Sequence, residues 1–396
     1  MVGATFAAAA SGHANLLTFD MGGTSTDVAL VVDGEVQTTT AAVVDGIPIK
    51  HPMVDVHTVS AGGGSIGLAD AGGALRVGPH SAGADPGPAS YGLGGSEPTV
   101  TDANLYLGFL ADGAELGSEI VLRRPAAETA LVSVGERLGM GALETALGVL
   151  RVAEAEMANA LRVISVERGF DPREFTLVAF GGAGGLHACR LAEELEISTI
   201  LVPRAGGVLS ALGLAISDLR RDYVRAFLGD LAAADRSLIE EVFDALERDA
   251  AADLDDPSFG RFADLRYRGQ AFELTVPADD LDELGARFAQ LHRRRYGFDL
   301  PDEPVQLVNM RLSATVAGAK PRLTSTPVAA EATPERRRAY VDDGWTDLAV
   351  FRRDTLAVGA RITGPAIVEF PEATCLVRSA WNATVDAAGA LVVERA

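Results

Sequence analysis

Lysine is nearly missing from this sequence. Of 34 basic residues only Lys50 and Lys320 are lysines, and the rest are arginine. Neither follows a glycine run, so there is no GxxxxGK phosphate loop and a P-loop NTPase is excluded. Cysteine is scarce too. Cys189 and Cys375 lie far apart in the chain and form neither a CxxC pair nor a metal-ligand spacing. That excludes a disulfide framework and points to a reducing compartment, the cytoplasm. The six histidines contain no HExxH or paired spacing, which excludes the zinc-protease class. Positive charge is in deficit: 34 Lys+Arg against 55 Asp+Glu gives a net charge of −21. Nucleic acid and anionic membrane surfaces are therefore poor partners. Long apolar runs are lacking. The most apolar stretch, Ile197 to Ile216, is broken by Pro203, Arg204 and Gly206-Gly207, and reads as core rather than a membrane span. The alanine-rich start carries no basic residue, so a signal peptide is not expected.

What is present is ordinary globular material with unusual glycine. The 396 residues are 48% hydrophobic and include 43 glycines. Such a length predicts about two to three domains. Leu16–Phe19, Asp27–Val32 and Glu35–Thr40 read as strands, joined at Gly22-Gly23 and by an Asp33-Gly34 turn. Residues 61–95 are dense in glycine, which predicts ordered loops where backbone approaches a ligand or another backbone. Gly141 to Arg168 carries a helical apolar stripe through Leu143, Ala146, Leu147, Leu150, Ala153, Met157, Leu161 and Ile164. Beyond it, strands at Thr176–Phe180 and Thr199–Val202 alternate with helices at Leu186–Leu195 and up to about Ser217, an α/β pattern. Helices at 235–252 and 281–296 with strands at 262–267, 271–276 and 305–316 predict an α+β region over 219–318. A proline-bearing linker over 319–338 and a small β module over 339–396 follow.

Two segments carry chemistry. In Asp20-Met-Gly-Gly-Thr-Ser-Thr-Asp27, bare backbone at Gly22 and Gly23 admits an anion between two strands. Thr24, Ser25 and Thr26 bring hydroxyl donors for phosphoryl oxygens. Asp20 and Asp27 are hard oxygen ligands suited to Mg²⁺. The set fits a nucleoside triphosphate at a hairpin; the plainer reading is an ordinary glycine turn. In Gly181-Gly-Ala-Gly-Gly185, glycines Gly181, Gly182, Gly184 and Gly185 form a tight strand-to-helix turn where a flat ring or phosphate packs on backbone. Asp55 and His57 stand before Gly62–Gly64 and are either metal or substrate groups or structural loop residues. Asp102 and Asn104 read as caps of a helix near Ala103–Leu107. Arg266, Arg268 and Gln270 read as a structural polar network, and Cys189 as a small buried hydrophobe.

The hairpin and the distant glycine turn together resemble the actin/sugar-kinase/Hsp70 ATPase superfamily, where they would be the second phosphate motif and the adenosine motif. The segments Leu17–Val28, Asp55–Ile66, Gly83–Ala89 and Glu97–Asn104 narrow the resemblance to the hydantoinase A/oxoprolinase family. Gly169–Arg173, Leu265–Gln270 and Gly364–Val368 extend it along the chain. Many relatives carry cysteine where this chain has Ser90, which removes a thiolate from that position. No second DxGGTxxD occurs. The resemblance therefore implies the second lobe of an actin-like, ribonuclease H-like ATPase over 1–218, followed by a C-terminal domain over 219–396. Another lobe is expected upstream or as a separate polypeptide. The implied activity is ATP- and Mg²⁺-dependent opening of a cyclic amide such as 5-oxoproline or a hydantoin, with a hydantoinase B-type partner. The ATP-using subunit of an acetone- or acetophenone-type carboxylase, or a catalytically incomplete assembly subunit, are the alternatives.

Overall fold

The structure is a computed structural model that describes residues 1–39, 42–44, 47–49, 53–117, 120–323 and 333–396. The chain divides into two compact units, Met1–Leu214 with Arg322–Ala396, and Ala215–Pro321.

The first unit is built on a nine-stranded mixed sheet. Its elements begin with helix α1 (Val2–Ala10) and strands β1 (Leu16–Met21), β2 (Thr26–Val32), β3 (Glu35–Val36) and β4 (Val56–Val59). A hairpin of β5 (Ser65–Ala69) and β6 (Leu75–Ser81) follows, then helices α2 (Val100–Tyr106), α3 (Arg124–Leu138) and α4 (Ala142–Ile164). Next come β7 (Thr176–Phe180), α5 (Gly184–Glu194), β8 (Thr199–Val202) and α6 (Leu209–Ile216). The C-terminal strands are β9 (Glu335–Val341), β10 (Gly344–Arg352), β11 (Arg361–Thr363), β12 (Ala366–Glu369), β13 (Thr374–Val377), β14 (Trp381–Val385) and β15 (Leu391–Arg395).

The large sheet runs β11-β14-β15-β8-β7-β1-β2-β3, with β4 also beside β2. β1, β7 and β8 are parallel, in register Leu16↔Thr176 and Leu177↔Ile200. β2 turns back antiparallel, placing Asp27 directly opposite Asp20. All five residues of β7 are buried, as a strand covered on both faces requires. One face packs on α2, α4 and α5 through Leu17, Phe19, Val28, Met157 and Leu161. The other packs on α1 and α6 through Ala4, Ala7, Leu16, Val178 and Leu209. There Gly3 is obligatory: a Cβ would stand 2.3 Å from the Leu209 carbonyl oxygen.

The predicted strands and the long helix have their counterparts. Asp33 and Gly34 both take positive φ, 52° and 80°, the turn that Asp-Gly favours between strands. Thr40, the expected end of the third strand, lies outside the described residues. The stripe from Ala146 to Ile164 faces the core, and a short 3₁₀ turn over Val166–Arg168 ends at Gly169 with φ 83°.

The second unit is a four-stranded antiparallel sheet in the order Leu219–Asp230, Val305–Val316, Ser258–Tyr267, Leu274–Pro277. Helices Arg236–Asp253 and Leu284–Tyr296 cover it through Phe243, Leu246 and Phe288. Inside it Arg266 reaches Gln306, and Gln270 reaches His292 at 3.1 Å, a structural network.

The C-terminal strands depart only in part from the expectation of a small β module: β9, β10, β12 and β13 form a four-stranded sheet of their own, while β11, β14 and β15 join the large sheet. β15 pairs antiparallel with β8, Thr199↔Glu394 to Val202↔Leu391, and so extends the large sheet. Residues 322–396 accordingly belong to the first unit rather than to one body with 219–318. Alternating Leu391 and Val393 announce a strand but do not name its neighbour. Within the expected linker, residues 324–332 lie outside the described residues, and Glu335–Arg338 already belong to β9.

Candidate functional site

Three turns meet where the parallel strands end: Gly22–Ser25 after β1, Gly181–Ala183 after β7, and Pro203–Val208 after β8. The carboxyl ends of parallel strands are where open α/β sheets place ligands. The turns are joined by backbone. The Gly181 N–H donates to the Gly206 carbonyl at 3.1 Å, and the Ala183 N–H donates to the Met21 carbonyl at 3.3 Å. Gly181 has φ 79°, and a Cβ there would lie 2.3 Å from the Met21 oxygen and 2.6 Å from Asp20 Oδ1. Only glycine lets β7 turn against the acidic hairpin.

Gly22, Gly23 and Thr24 are exposed and Ser25 is half-buried. The Gly22 N–H closes the turn on the Ser25 carbonyl at 3.0 Å. A second glycine loop braces it from behind: Gly63 N–H donates to Gly22 O at 3.0 Å, and Gly64 N–H to Gly23 O at 2.6 Å. This fulfils the expectation that glycines near 61–95 mark close backbone approach. Thr101 Oγ1 donates to the Gly63 carbonyl at 2.9 Å, anchoring the brace to α2. Thr26 is a correction to the donor set. Its side chain is buried, and its hydroxyl donates to the Ala61 carbonyl, so it fixes the brace and does not reach outward.

Asp20 and Asp27 share one face of β1 and β2 as a directly opposed pair. Like charges so placed repel. Asp20 is half-buried, and burial raises its pKa above the ordinary carboxylate value. The Ser210 hydroxyl, donating at 3.3 Å, opposes that rise, and the Asp27 charge adds to it. Asp27 is exposed, and its Oδ1 accepts the Thr58 hydroxyl at 2.6 Å. A divalent cation would relieve both carboxylates, and their oxygen chemistry fits one held mainly by phosphates and water.

Asp55 and His57 do not join this pair. The Asp55 carboxylate is engaged by Arg168. His57 stands opposite Val28, and strand alternation puts it on the other face from Asp27. Among the described residues no group of three or more His, Cys, Asp or Glu side chains is placed to hold a metal.

The second glycine turn divides. Gly182 is exposed and Gly181 half-exposed, but Gly184 and Gly185 are buried. A Cβ on Gly185 would meet the Thr374 carbonyl at 2.7 Å, so that glycine serves the packing of α5 on β13. The outward part is Gly181–Ala183. Sequence reasoning missed Ser210 and Thr58, the two hydroxyls that hold the aspartates, because single hydroxyl residues carry no spacing signal.

Neighbouring polar groups are structural. Asp102 is fully buried and accepts from the N–H groups of Ala89, Ser90 and Thr99 at 3.2, 2.8 and 2.8 Å, completing a capping box with Thr99. Asn104 is not a cap. It lies within α2, donates to Val100 O at 3.0 Å and approaches His187 Nε2 at 3.4 Å. His187 is buried, with Nδ1 at 3.1 Å from Glu154. Cys189 and Cys375 are free and buried, and burial pushes the Cys189 thiol up to about 12.

With this geometry in place, the chain belongs to the hydantoinase/oxoprolinase family. Residues 1–223 match Hydantoinase/oxoprolinase and residues 221–394 match the Hydantoinase/oxoprolinase C-terminal domain. It is 38% identical to caprolactamase subunit alpha of Pseudomonas jessenii, over 94% of this chain and 57% of that protein. To 5-oxoprolinase of Saccharomyces cerevisiae it is 33% identical, over 93% and 31%. The crystal structure of ATP-dependent caprolactamase from P. jessenii matches with a TM-score of 0.77 and 35% identity, covering 99% of this chain and 61% of that one. Nucleotide-free acetone carboxylase matches with a TM-score of 0.89, over 100% of this chain and 60% of that one. At 24% identity that likeness concerns the fold alone. The chain thus spans less than two thirds of each of these relatives. The α/β fold class and the family expected from the motifs are both confirmed.

Proposed function

We propose that this chain forms the nucleotide-holding part of an ATP-dependent enzyme that opens a cyclic amide of the 5-oxoproline or hydantoin type. The observation that carries the reading is the junction of an exposed glycine hairpin, an opposed aspartate pair and a glycine-only turn at the ends of three parallel strands. The names of its relatives, an ATP-dependent caprolactamase and a 5-oxoprolinase, support ATP use and a lactam-like substrate. The designation of one relative as subunit alpha supports a partner subunit. We infer that partner to be of the hydantoinase B type, with a further ATPase lobe completing the cleft.

ATP would supply a γ-phosphoryl group to the amide oxygen, turning a poor electrophile into one open to water. Gly22, Gly23, Thr24 and Ser25 hold phosphates through backbone and hydroxyl donors. Asp20 and Asp27 position Mg²⁺, and Ser210 and Thr58 orient the two carboxylates. Gly181 and Gly182 give a flat backbone surface for the adenosine. No helix among the described residues is long and apolar enough to cross a membrane, in keeping with a proposed cytoplasmic enzyme.

Calorimetry with Mg-ATP, on this chain alone and with a co-expressed N-terminal ATPase lobe of the family, tests the assignment. Binding that needs the added lobe and is lost in Asp20→Asn supports it. Absence of binding in both cases refutes it and leaves an assembly subunit. Substrate-stimulated ATP turnover by the restored assembly then separates cyclic amides from ketones with bicarbonate. Stimulation by ketones alone would replace the amidase reading with a carboxylase.

A further inference from the structure

A buried polar contact joins the two helices behind the hairpin and the second glycine turn. On α2, Thr101 holds the phosphate brace: its Oγ1 and its N–H both donate to the Gly63 carbonyl, at 2.9 and 2.8 Å. α5 continues directly from the Gly181–Ala183 turn. Asn104 lies three residues after Thr101, on the same side of α2. His187 lies in the first turn of α5. Asn104 Nδ2 and His187 Nε2 meet at 3.4 Å, while His187 Nδ1 stands 3.1 Å from Glu154 Oε1 on α4. The Glu154 carboxylate only accepts, so Nδ1 carries the hydrogen and the Nε2 lone pair accepts from Asn104.

This contact is an expensive way to pack two helices. His187 and Asn104 are each 1% exposed, and Asn104 Oδ1 is buried without a partner. An orphaned buried acceptor costs stability. The surrounding core is apolar, with Val100, Ala103, Leu107, Leu186 and Met157 in it. A leucine at 104 would fill the place without that penalty. Hydrophobic packing is non-directional, whereas a hydrogen bond between two buried side chains fixes one spacing. The backbone bond from Ala183 to the Met21 carbonyl joins the hairpin and the turn only at their roots. The exposed tip of the hairpin is held from the brace, by Gly64 N–H on the Gly23 carbonyl.

We propose that His187 is a positioning residue for the nucleotide: its bond to Asn104 sets the distance between the tip of the phosphate hairpin, through the Gly63 brace, and the Gly181–Ala183 turn. The inference rests on the reading that these two segments hold one ATP molecule. The spacing matters only to a ligand that spans both. ATP does so, whereas inorganic tripolyphosphate reaches the hairpin alone and adenosine the turn alone.

Calorimetry on the lobe-restored assembly with Mg-ATP, Mg-tripolyphosphate and adenosine tests it. His187→Asn keeps a polar group near the Nδ1 position for Glu154 and loses the one that meets Asn104; His187→Gln does the reverse. His187→Asn and Asn104→Leu each weaken Mg-ATP by roughly fivefold to tenfold, the worth of one buried hydrogen bond. The double variant is no weaker than either alone. His187→Gln binds Mg-ATP like the parent, and tripolyphosphate and adenosine bind every variant alike. A merely structural network would lower the melting temperature of both His187 variants and leave nucleotide affinity unchanged. Parental Mg-ATP binding by His187→Asn and Asn104→Leu overturns the proposal. So does equal weakening of all three ligands, or a loss in His187→Gln that matches the loss in His187→Asn. If His187→Asn fails to fold, Asn104→Leu decides the matter alone, since it replaces the amide by an apolar group of similar size. Failure of the parent assembly to bind Mg-ATP removes the nucleotide reading itself, and this proposal with it.

Discussion

Replacing Gly62 by alanine is the sharpest probe of how the two glycine loops cooperate. A Cβ at Gly62 would stand 2.6 Å from Ser25 N, 2.7 Å from Thr24 C and 2.8 Å from Gly23 C. All three are backbone atoms, so no side chain can swing aside. Ordinary contact begins at 3.4 Å, and the hairpin and its brace must part by about 0.8 Å. Overpacking of this kind costs about 1–3 kcal/mol. The hairpin tip is exposed and free to move outward, so the stability loss should fall at the lower end. The positional error is the larger consequence. A displacement of about 1 Å at groups that orient a reacting phosphate lowers turnover on the order of 10²-fold. Gly344→Ala, whose Cβ meets nothing within 4 Å, is the control for adding a methyl group. Urea unfolding together with Mg-ATP calorimetry and turnover on the lobe-restored assembly measures both effects. If Gly62→Ala binds and turns over nucleotide like the parent and the Gly344→Ala control, the brace does not set the hairpin's position and the reasoning fails.

Other perturbations separate stability from binding. Asp20→Asn should abolish Mg-ATP binding yet stabilise the free protein. A raised carboxyl pKa contributes stability that is present below the ordinary carboxylate value and lost as pH rises through the raised one, so the variant should melt higher at neutral pH and show a flatter profile across that window. Gly23→Ala, where a Cβ meets nothing within 4 Å, should leave melting unchanged while lowering nucleotide affinity; an unchanged affinity would place phosphates elsewhere. Asp102→Ala strands three buried backbone donors and should cost about 3–5 kcal/mol in urea unfolding, against about zero if the Ala89–Thr99 segment is held by other contacts. Native Cys189 should resist iodoacetamide at pH 8 and react only on unfolding. Its thiol also favours the folded state below about pH 9, a contribution lost as pH climbs toward about 12.

Much of the first unit could be read from sequence because its strands are buried on both faces. Thr176–Phe180 and Thr199–Val202 are uninterrupted apolar runs bounded by glycine or proline, and periodicity needs nothing more. Arg124–Leu138 gave only a weak signal, since its buried face, Ala127, Ala130, Leu131, Val134 and Gly135, is made mostly of small residues that contrast little with its polar face. The hairpin was legible as bare backbone between two acids. Whether each donor faces outward was not, because Thr24 and Thr26 are chemically alike and only strand alternation buries the second. The same limit explains His57, which is close to the aspartates along β4 but on the opposite face of the sheet. Gly185 looked equivalent to Gly181 in the motif, yet it is needed for the contact of α5 with β13, a partner almost 190 positions away in sequence.

The pairing of β8 with β15 bears on how the protein is made. Ribosomal synthesis delivers Ala215–Pro321 as one uninterrupted stretch, which contains all four strands of its own sheet and both covering helices. That insert has everything needed to condense while translation continues. The large sheet does not: after Val202 appears, its neighbour Leu391–Arg395 is nearly two hundred codons away. Until those codons are read, β8 presents an open, apolar edge, the kind of surface that recruits wrong partners. Holdase chaperones should therefore engage nascent chains halted between these two strands more than chains released after the second, and premature stop codons just before Leu391 should send the product into aggregates rather than give a shortened soluble protein.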